Sequence, residues 1–123
     1  MQVTAAKNEK IGQMIFASIY PLYLNRLIKN GRTEEELRTV IQWLTGFDNA
    51  TLQNLIDDKV SFKTFFEKAT MHPNAHLVKG VVCGYRIEEI PDEFTLYRQF
   101  RTMEKLIDEL AKGRKMEKIL RKA

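Results

Sequence analysis

One cysteine, two histidines and a set of tyrosines and arginines carry most of the chemical capacity of this 123-residue chain. Cys83 is the sole thiol. A thiol is nucleophilic only as thiolate, so it needs a neighbouring base and a positive field. Arg86, three residues on, can supply the field if the segment is helical; His76, seven back, is too far to act directly. The neighbours Val81, Val82 and Ile87 are apolar. They predict a buried, unreactive thiol beside a helix–helix contact, the usual setting of a free cysteine.

Metal chemistry has candidate ligands in His72, His76, Cys83, Glu88, Glu89, Asp92 and Glu93. Pro73 breaks the helix that would align the two histidines, and neither CxxC nor HExxH occurs, so no metal site is expected. Gly80-x-x-x-Gly84 lacks the Gly-Lys-Ser/Thr ending of a phosphate loop, and GxGxxG is absent, so no cofactor is expected. The richest constellation is Tyr20, Tyr23 and Arg26 with Trp43, Cys83, Tyr85, Arg86 and Glu89. Tyr23 and Arg26, three apart, share a helix face. Such residues can build an aromatic-walled pocket with an arginine fork for an anion. They can equally be aromatics at the rim of a core, with wet polar ends and Arg86 paired to Glu89.

The elements that must position these groups read as helices. Thr33-x-x-Glu36 is a capping box, and Leu37, Val40, Ile41 and Leu44 follow on one face, predicting a helix over 34–45. A helix over 17–30 contains Pro21, and a bend is expected there. Asp48 and Ser61 are N-caps of two short helices. The stretch 77–90 has strand-like composition at Val81–Ile87, but no other segment reads as a β partner; a helix is expected, with Gly80 and Gly84 forming a flat strip. Helices over about 93–111 and in the tail beyond Gly113 complete the chain. The expectation is an all-α, single-domain orthogonal bundle of five or six helices over residues 14–123, preceded by a flexible segment over 1–13.

The net charge of +4 is uneven. Residues 98–123 hold nine basic and four acidic side chains, and the rest of the chain is close to neutral. In a helical tail, Lys115, Lys118 and Lys122 fall on one face, with Arg114 at its start. Such a patch fits a weak, salt-sensitive contact or a solvated helix end. A helix-turn-helix reader is not expected, because the exposed face after Asp48 carries Asp57 and Asp58. A single cysteine excludes an internally disulfide-built scaffold, no apolar run approaches a membrane span, and Met1–Lys10 lacks the apolar core of a signal peptide; a cytoplasmic location is expected.

Several blocks resemble a small bacterial family. They are Phe16 to Tyr23, Gly31-Arg32-Thr33, Trp43 to Asp48, Pro73-Asn74, Gly80 to Ile90, Lys105 to Gly113, and Met116 to Arg121. The family is the domain of unknown function numbered 2200, and the resemblance spans residues 14–122. It implies a mainly helical, orthogonally packed domain and no activity. His72, preceded by Met71, departs from the smaller or more polar residues expected there. The functional expectation is a non-enzymatic domain that binds a protein partner or itself. Its surfaces would be the basic tail and the Gly80/Gly84 strip. One alternative is an anion or small-molecule pocket, or an enzyme, around Tyr23, Arg26, Cys83 and Arg86. The other is weak, non-specific nucleic-acid binding through Arg114, Lys115, Lys118 and Lys122.

Overall fold

Side-chain caps start four of the helices. Thr4, Thr33, Asp48 and Ser61 each accept the backbone N–H three residues on, satisfying a donor that a helix start leaves unpaired. These caps begin α1 (Ala5–Gln13), α3 (Glu34–Thr45), α4 (Asn49–Asp57) and α5 (Phe62–Lys68) in the computed structural model, which describes residues 2–122. The capping box of Thr33 and Glu36 is formed as expected. Helix α2 (Phe16–Lys29) starts differently. Met14 and Ile15 are extended, and Ile15 bridges to Ser61: Phe16 N–H donates to Val60 O and Phe62 N–H to Met14 O. Pro21 lies inside α2.

Residues 5–13, expected to be a flexible leader, form α1 and pack on α5 and α6 (Thr95–Ala111). The tie is specific. Helix α6 has no side-chain cap of its own, and Asn8 of α1 accepts the Tyr97 N–H at 2.9 Å in place of one. Seven α-helices result among the described residues, the last being the four-residue α7 (Met116–Ile119).

The helix expected over 77–90 is not formed. Val81–Val82 (β1) and Tyr85–Arg86 (β2) pair as an antiparallel hairpin, set between single 3₁₀ turns at Ala75–Leu77 and Ile87–Glu89. The two turn residues, Cys83 and Gly84, both have positive φ, 51° and 81°. That is the twist a two-residue hairpin loop needs. The strand-like segment lacked a partner elsewhere because it pairs with itself.

The core is aromatic at its centre. Phe16 stacks on Phe65 at 4.2 Å, and Phe62 meets Phe100 edge-on at 5.1 Å. Helix α6 runs through it, burying Tyr97, Phe100, Met103, Leu106, Ile107 and Leu110, and contacts α1, α2, α3, α5, α7 and the hairpin. No helix among the described residues is long and apolar enough to cross a membrane.

Two glycines separate strain from crowding. Gly31 and Gly46 both follow helices with φ near +78°. A Cβ at Gly31 would meet nothing, whereas one at Gly46 would lie 3.1 Å from Thr70 O. Gly31→Ala should cost about 1–2 kcal/mol for the left-handed backbone alone, and Gly46→Ala more than that. Urea unfolding of the two variants checks the order.

Candidate functional site

The polar groups of the hairpin tip and α2 meet on α6. Tyr97, Arg101, Glu104 and Asp108 recur at four-, three- and four-residue spacing and form a stripe beside the buried apolar face. Glu104 is the hub. It accepts the Tyr23 hydroxyl at 3.2 Å, an ion pair from Arg101 and the Cys83 thiol at 3.8 Å. Arg101 also donates to Tyr97 Oη at 2.8 Å and lies over the rings of Tyr85, Tyr97 and Phe100. Lys7 of α1 donates to Tyr85 Oη at 3.0 Å. One turn along α6, Asp108 takes Arg26 at 2.6 Å and Lys112 at 3.0 Å. Lys105 Nζ donates to Val81 O at 3.2 Å and so holds β1 on the same helix.

The environment sets the protonation of these groups. Burial, reinforced by the charge of Glu104, holds the Tyr23 phenol far above its ordinary range, so it stays a donor. Partial burial and then Glu104 push the Cys83 thiol up, against a smaller opposite effect of Arg101. Burial disfavours the Asp108 carboxylate, but hydrogen bonds from Arg26 and Lys112 outweigh it and hold the group below its usual value.

Cys83 is exposed, which corrects the expectation of a buried thiol. It occupies the first turn position of the hairpin, where asparagine or glycine meets positive φ at lower cost. Its apolar neighbours Val82 and Ile87 point into the core while the turn carries the thiol outward.

The predicted constellation is divided. Tyr23 and Cys83 come together on Glu104, Tyr85 reaches the same group through Arg101, and Arg26 lies one turn away on Asp108. Tyr20 belongs elsewhere: it donates to Glu34 at 2.8 Å, and burial with that bond pushes its phenol up to about 12. Trp43 stacks on His72. Arg86 and Glu89 form an exposed ion pair at 3.9 Å. In the tail, the short helix expected after Gly113 spans Met116–Ile119, so Lys122 lies beyond it. Arg114 pairs with Glu109 at 2.9 Å, while Lys115, Lys118 and Lys122 are exposed with no acid in salt-bridge range among the described residues.

Sequence reasoning missed Arg101, Glu104 and Asp108, although their spacing on one helix face was legible. A surface groove of about 770 Å³ has Gly12, Phe66 and Leu96 among its lining residues and contains none of the predicted site residues. No three His, Cys, Asp or Glu side chains among the described residues converge as a metal site.

With this geometry in hand, the comparisons with known proteins give a family and a frame. The chain belongs to the bacterial family described as "Uncharacterized protein conserved in bacteria (DUF2200)". Its model matches residues 10–121. The crystal structure of an uncharacterized protein, SP1917, is similar, with a TM-score of 0.84 and 33% identity over 91% of each chain. No curated protein matches. Neither description names an activity.

Two outcomes follow for the hub. Glu104→Gln should lower the Cys83 pKa and speed thiol labelling of the native protein several-fold at pH 7.5; an unchanged rate would mean that Glu104 does not govern the thiol. Asp108, whose folded pKa is depressed, stabilises the fold above the unfolded carboxyl pKa, and that contribution is lost as pH falls through the folded value. Asp108→Asn should therefore lower the urea midpoint at pH 7 and leave it nearly unchanged near pH 2.

Proposed function

We propose that the chain is a non-enzymatic binding module for a protein partner. Its contact surface is the ledge made by the hairpin tip, Arg26 of α2 and the polar stripe of α6. The observation that carries this reading is the meeting of Tyr23, Cys83 and Arg101 on Glu104 beside an exposed hairpin tip. The groups that would serve catalysis are committed to one another. Glu104 is engaged by Arg101 and Tyr23, Asp108 by two cations, and a thiol raised above its ordinary pKa is mostly protonated at neutral pH.

The ledge suits a protein. Val81 is 47% exposed beside it, an apolar anchor on a rigid turn. Arg26 is half exposed, and its guanidinium has donors beyond the one Asp108 uses. Arginine is enriched at protein interfaces, and an apolar side chain within a polar rim is their usual anatomy. A pocket for an anion is less well supported, because the centre of the cluster is a carboxylate. We assign the cytoplasm as the compartment, where an exposed lone thiol at Cys83 stays reduced.

The test is photo-cross-linking in bacteria with a benzophenone amino acid placed at position 81 and, as a control, at position 35. An adduct of defined mass from position 81 alone, weakened at least fivefold by Arg26→Glu, supports the reading. The adduct mass tells whether the partner is a second copy. No adduct at 81, or the same adducts at 35, contradicts it.

A further inference from the structure

We infer that a surface separate from the ledge, built by Trp43, His72 and the C-terminal lysines, binds single-stranded nucleic acid by base stacking. Trp43 of α3 and His72 are both half-buried, with ring centroids 4.2 Å apart and planes within 18°. The pair is held rigidly. His72 N–H donates to Leu44 O at 2.9 Å, Thr70 N–H donates to Thr45 O at 2.8 Å, and His72 Nδ1 accepts the Asn74 N–H at 2.9 Å. The last bond puts the proton of the neutral ring on Nε2. A flat, preorganised aromatic stack at the surface offers a base a place to stack, whatever its identity.

The same segment anchors the tail. Asn74 Nδ2 donates to Arg121 O at 3.2 Å, Arg121 clamps Glu109, and Ile119 is wholly buried. Arg121 is therefore tied to the segment that carries His72; Lys122 follows it directly, and Lys115 and Lys118 precede it around the buried Ile119. Lys112, Arg114 and Arg121 are each paired with a carboxylate. Lys115, Lys118 and Lys122 are exposed and have no acid in range among the described residues, although Glu117 is exposed between them. Exposed lysines without an acid in range among the described residues, on a tail tied to the segment that carries the stack, match the needs of a flexible phosphate backbone with unpaired bases. In a duplex the bases are already stacked on one another and cannot use the rings. The reading thus selects single strands and does not require sequence specificity.

Trp43 is the only tryptophan, so its fluorescence reports the stack directly. The probe is a labelled twelve-residue oligothymidylate, followed by anisotropy and by tryptophan emission from 20 to 200 mM salt, with a blunt duplex and polyglutamate as comparators. The expected result is saturable quenching by the single strand, with a log–log salt slope of about −2 for three neutralised phosphates. Trp43→Leu and His72→Ala should each weaken binding at least fivefold. Lys118→Gln with Lys122→Gln should reduce the slope to about −0.7. Three results would overturn the proposal: no quenching at 20 mM salt, affinity unchanged in His72→Ala, or polyglutamate or duplex quenching as strongly as the single strand.

Discussion

A carboxylate taken out of water must find donors or surrender its charge, and α6 places three partly or fully buried ones along its length. Glu104 binds Arg101 within α6 and takes the Tyr23 hydroxyl from α2 and the Cys83 thiol from the hairpin. Asp108 takes Arg26 from the next turn of α2. Glu109, 6% exposed, takes Arg114 and Arg121 and so binds the tail. The apolar face of α6 makes it the core helix; its acids determine which parts of the chain lie against it and in what register. Removing one partner of such a pair leaves the other charge stranded, at a cost of about 3–5 kcal/mol when fully buried. These contacts constrain position more tightly than apolar packing alone can, because a carboxylate is satisfied only by particular donors.

Much of the helical frame was legible in the sequence because local signals and tertiary demand agree. Thr33 and Glu36 form the capping box they spell, and Leu37, Val40, Ile41 and Leu44 are wholly buried. Asp48 and Ser61 cap the short helices as read. Two readings failed for identifiable reasons. Residues 5–13 are polar and carry little periodic signal, and their helix is secured by packing and by the Asn8 bond to the start of α6, which no local pattern announces. Val81–Arg86 reads as helix from the sequence because no other segment offers a β partner, and the two halves of the segment pair with each other instead. The positive φ that Cys83 tolerates is what lets the two halves pair.

The site was half legible. Tyr23, Arg26 and Cys83 were chosen for their chemistry and do lie along one stretch of α6. The residues that join them, Arg101 and Glu104, carry no signal in the sequence beyond their spacing on one helix face. Nothing local distinguishes a charged stripe that faces water from one that faces a hairpin; only the fold decides it. The related structure shares the frame over 91% of the chain at 33% identity. In this chain the ledge is built on α2, α6 and the hairpin, and the aromatic stack on α3 and the segment after α5.

Amide hydrogen exchange tests the organising role of α6 most directly. Glu104→Ala combined with Lys105→Ala should loosen the hairpin selectively. The Ile87 amide, bonded to Gly80 O at 3.0 Å, should exchange at least tenfold faster, while the amides of Val40 and Ile41 in α3 keep their wild-type protection. Uniform acceleration across α3 and the hairpin, or no change at Ile87, would contradict the claim that the polar stripe of α6 holds the hairpin in place.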